Sequence, residues 1–290
     1  MKVSGFTFVR NAVKYDYPVV AAISSILPLC DEVIVSVGNS DDGTLELIQS
    51  IGSPKIKITH SVWDDSLKEG GTILAVETDK AFAHVSPDAD WAFYIQADEV
   101  VHEQDYPAIR AAMQEHINDK RVEGLLFKYM HFFGSYDYVG DTRTWYQHEI
   151  RVIRNDKHIS SYRDAQGFRK DGQKLHVKRV NASMYHYGWV KDPAIQAKKL
   201  NNSFQLYHGT NEELVSNRVP IAQFDYGEVD SLAPFKGTHP EVMKERIQKK
   251  NWQFAHDISR KKFSFKDSIL YWVEKKTGKR LFDYRNYKVI

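Results

Sequence analysis

Trp91-Ala92-Phe93-Tyr94-Ile95-Gln96-Ala97-Asp98-Glu99-Val100 is the stretch on which the fold turns. Its unbroken apolar and aromatic opening, 91–95, fits a strand buried on both faces, as in a parallel sheet, and it gives way abruptly to Gln-Ala-Asp-Glu. Polar chemistry at a strand's C-terminal end is where open α/β sheets place their ligands, because the loops leaving parallel strands form a crevice there. Asp98 is therefore the first candidate for chemistry.

Upstream, Val3-Ser4-Gly5-Phe6-Thr7-Phe8-Val9 is rich in β-branched and aromatic types and predicts a strand that leaves at Arg10-Asn11. Asp16 reads as the N-cap of a helix whose apolar positions Val19, Val20, Ile23, Ile26 and Leu27 recur at helical spacing up to Pro28. Glu32-Val33-Ile34-Val35-Ser36-Val37 then completes a β-α-β unit. The polar turn Gly38-Asn39-Ser40-Asp41-Asp42-Gly43-Thr44 leads into a short helix and a strand at Ile56–Thr59, and Gly71 to Val85 carries helical spacing up to the Trp91 strand. Downstream, a helix near Pro107 to Ile117 is followed by strands at Gly124–Tyr129 and Glu149–Arg154, joined by an aromatic loop and extending the same sheet. From about Pro193 the pattern is helical and polar, with segments at Ala194–Tyr207, Pro240–Ile258 and Phe265–Lys276. The expectation is an α/β chain: a Rossmann-like mixed sheet with helices on both faces over 1–190, to which the family resemblance given below adds nucleotide binding, and a helical, basic C-terminal extension over 191–290 that is no independent domain.

Composition narrows the class. At 290 residues, 42% hydrophobic and 27% charged, the chain can bury a substantial core. No apolar run approaches the roughly 20 residues needed to span a bilayer, and Met1 runs almost directly into a strand, so a cytoplasmic protein is expected. The lone Cys30 excludes an internal disulfide and a cysteine-based zinc site, and it reads as core. The net charge of +2 hides an asymmetry: residues 241–290 hold 14 Lys/Arg against 6 Asp/Glu, leaving 26 against 32 elsewhere. Arg260-Lys261-Lys262 and Lys275-Lys276-Thr277-Gly278-Lys279-Arg280, interleaved with Phe263, Phe265, Tyr271 and Trp272, read either as a solvated helix face or as a surface resting on an anionic membrane. No nucleic-acid motif accompanies them.

Three features together resemble the family 2 glycosyltransferases of the GT-A fold: the opening strand with its Arg10-Asn11 exit, the strand followed by Asn39-Ser40-Asp41-Asp42-Gly43-Thr44, and Tyr94-Ile95-Gln96-Ala97-Asp98-Glu99-Val100, which looks like that family's metal-binding Asp-x-Asp stretch. The resemblance is good over residues 3–104 and weak to about 190. It implies a GT-A-type domain with a nucleotide-sugar half at about 1–104 and an acceptor half at about 105–190. It also implies inverting transfer of a sugar from a nucleoside diphosphate donor to a glycan or lipid-linked hydroxyl, in polysaccharide or lipopolysaccharide synthesis of the bacterial type, with Mn²⁺ or Mg²⁺ neutralising the diphosphate leaving group. By the same resemblance Arg10, Asn11 and Asp42 belong to the nucleotide end, Gln96 near the ribose, and Asp98 to the metal.

Two departures stand out. Val37-Gly38 occupies a place where the family usually has acidic residues that hold base or ribose, and Gln96 replaces the first carboxylate of the motif, leaving Asp98 as its one anionic ligand. His186, in Met184-Tyr185-His186-Tyr187-Gly188-Trp189, reads either as a second metal ligand or as a histidine packed among aromatics, while His131, His148 and His176 lack a comparable setting. The general base that takes the acceptor proton is sought among carboxylates after the metal motif. Asp164 is preferred and Glu149 is the second candidate, each also readable as an arginine partner. His131-Phe132-Phe133-Gly134-Ser135-Tyr136 with Trp145-Tyr146 reads as an acceptor platform or as ordinary packing. The alternatives are a non-catalytic scaffold of the same fold with a decayed metal site and a sugar nucleotidyltransferase, whose Gly-rich phosphate loop is missing after the first strand.

Overall fold

The computed structural model describes residues 1–67, 69–208, 221–227, 229–259 and 261–290, with Asp65 described by its backbone alone; Arg260 of the basic tail lies outside them. The predicted first strand is β1 (Val3–Val9), and it lies inside the sheet with β2 (Glu32–Gly38) and then β3 (Ile56–Ser61) parallel on one side and β4 (Trp91–Tyr94) parallel on the other. All seven residues of β2 and all four of β4 are buried, which is why they read as continuous apolar runs.

Beyond β4 the sheet turns antiparallel. The short β5 (Glu99–Val101), β6 (Gly124–Phe133), β7 (Tyr138–Gly140) and β8 (His148–Arg154) follow in sequence, with β8 antiparallel to both β4 and β6. A separate three-stranded sheet is formed by β9 (Ile159–Tyr162), β10 (Gly167–Lys170) and β11 (Gln173–Lys174). The long β12 (His176–Trp189) then runs parallel to β6 and antiparallel to β5. Neither β5 nor β12 was expected. Their pairing sets His186 opposite Glu99, one residue from Asp98.

Helices cover both faces. On one, α1 (Val19–Ile26), α2 (Thr44–Gln49) and α4 (Tyr106–Glu115) send Ile23, Ile48 and Met113 into a core with Val33, Val35 and Phe93. On the other, α3 (Thr72–Ala83) brings Ala81 against Phe6, Ile34 and Tyr94. The α/β mixed sheet with helices on both faces is thus the observed fold, and Cys30 is buried in its core as expected.

Two local expectations fail. Asp16 caps nothing: it has φ +50° and α1 starts at Val19 after Pro18, so its carboxylate pairs with Arg246 at 2.5 Å instead. Of Pro240–Ile258, only the turn Glu241–Met243 and the helix Lys244–Gln248 are helical. The following residues are drawn into an aromatic cluster: Trp252 Nε1 donates to Gly134 O at 2.7 Å, and Phe254 packs on Tyr226 at 5.6 Å.

The C-terminal hundred residues return to the first part of the chain. Here α5 (Pro193–His208) packs beside the turn before α3, β13 (Leu232–Pro234) pairs with β7, the helix Phe265–Thr277 anchors Glu274 to Arg143 at 3.0 Å, and β14 (Lys288–Val289) pairs with β12. No helix among the described residues is long and apolar enough to cross a membrane.

Candidate functional site

The C-terminal ends of β1, β2 and β4 meet at one edge of the sheet. Asn11 stitches the first two loops together, its N–H donating to Ser40 Oγ at 3.0 Å and its Oδ1 accepting from Asp41 N at 3.1 Å. These bonds hold it at φ +55°, a left-handed conformation that asparagine tolerates better than most residues. A cleft of about 210 Å³ opens above, lined by Arg10, Asn11, Trp63, Gln96, Asp98 and, from α5, Lys199 and Tyr207. Of the five residues expected around the nucleotide, its ribose and the metal, Arg10, Asn11, Gln96 and Asp98 therefore converge. Asp42 does not line this cleft: its Oδ1 accepts from Thr44 N at 3.2 Å and its Oδ2 from Lys14 N at 2.6 Å, so it braces the turn.

Trp63, absent from the sequence reading, walls the cleft. Its ring lies 5.8 Å from Phe8 and 5.4 Å from the Arg10 guanidinium, and its buried Nε1 has no hydrogen-bond partner among the described residues. Gly38 makes this approach possible, because any side chain there would collide with the indole. The Val37-Gly38 departure thus creates room for an aromatic wall where the family resemblance placed acids.

Asp98 is 8% exposed at the floor of the cleft. Its Oδ2 accepts from Lys199 Nζ at 3.0 Å and lies 3.7 Å from His186 Nε2. Burial works to raise its carboxyl, but Lys199 first, then His186 and Lys191, hold it well below the usual carboxylate range. A Cβ on Gly188 would fall 2.5 Å from His186 Nε2 and 2.6 Å from Asp98 Oδ2, so glycine leaves open the space the two atoms face. That cradle and the donor types fit a divalent cation. Among the described residues no group of three or more His, Cys, Asp or Glu could hold one, so the protein's share would be Asp98 and His186, with water and substrate phosphates completing the shell, a pattern usual for Mg²⁺. Strand alternation explains why His186 faces this way: its neighbours Tyr185 and Tyr187 turn to the opposite side and stack on Phe132.

The adjacent carboxylate has another fate. Glu99 is fully buried and gripped by Arg151, Nε to Oε2 at 2.7 Å and Nη2 to Oε1 at 2.5 Å, while it also accepts from the Tyr129 hydroxyl and from Gln96 N. The guanidinium sits 5.4 Å from the rings of both Tyr94 and Tyr129. Gln96 is held by this network and reaches toward Tyr94 Oη at 3.4 Å and Ala165 O at 3.5 Å.

Neither base candidate lines the cleft itself. Asp164 is half-buried in a tight turn, between Arg163 and Ala165 at φ +56° and +61°, and its Oδ2 accepts from the cleft residue Tyr207 at 2.5 Å. Glu149 is buried with Arg151 Nη1 at 3.7 Å; burial pushes its carboxyl up to about 8, against the pull of Arg151 and with the help of Glu99 and Asp164.

A second cavity of about 460 Å³ is lined by His186, whose Nε2 lies 3.7 Å from Asp98 of the first cleft, and by His131, Trp145, Tyr146, Trp189 and Phe224 among others. His131, set aside in the sequence reading, is 5.2 Å from His186 and 4.4 Å from Tyr146 by ring centroids. Burial holds it well below the usual histidine range, so it is neutral. His131 and Phe133 face this cavity while Phe132 points to the other side, so the expected platform is split by strand alternation.

No family model matches the chain, and no curated protein does. Among solved structures it is similar to S. aureus TarS 1-349 in complex with UDP, at 14% identity over 76% of each chain with a TM-score of 0.39. Against the longer S. aureus TarS structure the chain spans 39% of that length. Glucosyl-3-phosphoglycerate synthase from Mycobacterium tuberculosis, in complex with Mn²⁺, UDP and phosphoglyceric acid, shares 18% identity over 45% of this chain and 43% of its own, with a TM-score of 0.30. 4-Diphosphocytidyl-2C-methyl-D-erythritol synthase from Anaerococcus prevotii shares 11% over 53% and 70%, also at 0.30. At these scores the overlaps carry no argument about activity, and the fold rests on the strand order: a parallel, Rossmann-like half continued by antiparallel strands.

Proposed function

We propose that this chain is a nucleotide-sugar-dependent glycosyltransferase of the family 2, GT-A kind. The observation that carries this reading is the meeting of Asp98, which lines the strand-end cleft, and His186, which lines the aromatic cavity, 3.7 Å apart beside the space that Gly188 leaves open. In this reading residues 1–190 form the transferase domain, donor half to about 104 and acceptor half beyond, and 191–290 form the extension that covers it. The nucleoside lies against Trp63 near Arg10 and Asn11, Gln96 bonds the ribose through an amide that both donates and accepts, and the sugar acceptor packs in the aromatic cavity.

Mn²⁺ or Mg²⁺ on Asp98 Oδ2 and His186 Nε2 would offset charge on the departing diphosphate. The acceptor oxygen bonds to the anomeric carbon as the bond to the diphosphate oxygen breaks. The electron pair leaves with the diphosphate, the proton passes to the Asp164 carboxylate, and the anomeric centre inverts. Glu149, kept mostly protonated by burial at pH 7, is less available to accept a proton.

A lipid-linked acceptor of bacterial polysaccharide or lipopolysaccharide synthesis, met at the inner face of the membrane, is favoured by the helix Phe265–Thr277. Its outer stripe carries Phe265 at 84% and Trp272 at 62% exposure, continued by the exposed Lys276 and Lys279, while Glu274 turns inward to Arg143. Co-sedimentation with vesicles containing anionic lipid, reduced in Phe265→Ser/Trp272→Ser, is the expected outcome; equal sedimentation of the variant would remove the membrane from the reading.

Thermal unfolding against UDP, GDP, CDP and dTDP, with and without Mn²⁺, tests the whole. A ligand at 100 times its dissociation constant adds about 2.7 kcal/mol of stability. Stabilisation by one nucleotide that grows with Mn²⁺, with the Mn²⁺ increment absent from Asp98→Ala, is expected; no stabilisation by any of the four would favour the non-catalytic scaffold.

A further inference from the structure

We infer that Lys199 of α5 is a diphosphate-binding residue of the donor cleft, and that it lets a nucleoside diphosphate bind before, and without, a divalent cation. The inference rests on the transferase reading and adds to it a cation built into the chain. Lys199 reaches into the cleft from the covering helix, and its Nζ donates to Asp98 Oδ2 at 3.0 Å and to Gly188 O at 2.9 Å. An ammonium has three donors, and among the described residues only two of them meet an acceptor, which leaves the third for a ligand. The Tyr17 ring lies 5.2 Å from the same nitrogen and limits its hydration.

Charge counting gives this geometry its meaning. A site with two carboxylates and no metal repels a diphosphate, so the metal must arrive first or together with the nucleotide. Here Gln96 is neutral in place of one carboxylate, and Lys199 cancels the other. Without a metal, the Asp98–Lys199 pair at the floor of the cleft therefore carries no net negative charge, and Arg10 lines the same cleft. The ammonium needs only a short side-chain rotation to exchange Asp98 Oδ2 for a phosphate oxygen, and that exchange also frees Oδ2 for a cation. One carboxylate thus holds Lys199 when the donor is absent and is available to metal when the donor is present.

The experiment is isothermal titration of UDP, GDP, CDP and dTDP, and of the matching nucleosides, into wild type, Lys199→Met, Lys199→Arg and the exposed control Lys198→Met, in EDTA and in Mn²⁺. The wild type binds one nucleoside diphosphate in EDTA. Lys199→Met loses roughly tenfold to a hundredfold in that affinity, the worth of one charge-assisted hydrogen bond, while its affinity for the nucleoside is unchanged. Lys199→Arg retains most of the diphosphate affinity, and Lys198→Met all of it. Nucleoside diphosphate affinity in Lys199→Met equal to wild type, or wild-type binding that appears in Mn²⁺ but not in EDTA, overturns this inference and leaves the transferase reading standing. No binding by the wild type under either condition overturns both.

Discussion

The two walls of the site, donor and acceptor sides in the proposed function, are built by opposite means. On the donor side, parallel strand ends deliver Arg10-Asn11, the Gly38–Thr44 turn and Gln96–Asp98, and short-range hydrogen bonds such as Thr44 N to Asp42 Oδ1 at 3.2 Å fix each loop. On the acceptor side, His131, Trp145, Tyr146, Trp189 and Phe224 come from distant parts of the chain and meet through ring contacts, with centroids 4.4 Å apart for His131 and Tyr146 and 5.9 Å for Trp189 and Phe224. Charged phosphates need donors aimed at fixed points, whereas the C–H faces of a sugar need shaped apolar surface. Between the walls stands the Asp98-Glu99 pair, one carboxylate turned to the cleft and the other locked on Arg151.

The largest effect is expected at that seam. Arg151→Met leaves Glu99 buried without its cation, and breaking a buried pair from one side costs about 3–5 kcal/mol. Urea denaturation measures this directly. A loss below about 1 kcal/mol would mean that Glu99 is readily neutralised by protonation and that the walls are not joined here. Next comes the division itself. Trp63→Ala should weaken the preferred nucleoside diphosphate by roughly tenfold to a hundredfold if the base stacks on the indole. Trp145→Ala should leave that affinity unchanged while slowing transfer to an added acceptor. Equal losses of nucleotide affinity in both variants would dissolve the distinction between donor and acceptor walls.

The same contrast decides what could be read beforehand. Elements whose stability comes from neighbours in sequence were legible: β1 starts and ends where its β-branched and aromatic run does, and β4 delivers Asp98 as its apolar run predicts. Elements fixed by distant partners were not. The short β5 exists because β12 pairs with it, and Glu99-Val100-Val101 alone carries no strand signal beyond what a loop would. Trp63 lies in a stretch without periodicity, and only the absence of a side chain at Gly38 hinted that something large approaches. Lys199 lies in a segment read only as helical and polar, where nothing in the sequence separates it from Lys198. The weak apolar alternation of Tyr185 and Tyr187 around His186 was the available sign that the histidine sits on a strand and faces away from those two rings; past a register shift, Trp189 returns to its side.

The last contrast concerns Glu149 and the choice of base. Its carboxyl is raised from 4.5 to about 8, by burial first. Between those values the unfolded chain ionises this group while the folded protein keeps it protonated, so the folded state binds more protons and stability falls as pH rises through the window. Below pH 4.5 both states are protonated and nothing is lost; above 8 the loss is complete. Glu149→Gln cannot ionise in either state. Its melting temperature relative to wild type should therefore climb steadily from pH 5 to pH 8.5, beginning from whatever fixed offset the amide introduces. Parallel curves would show that Arg151 at 3.7 Å keeps Glu149 ionised, and the acceptor wall would then hold a second carboxylate able to take a proton beside Asp164. A rising difference leaves Asp164, tied to the cleft through Tyr207, as the remaining one of the two candidates for the proposed base.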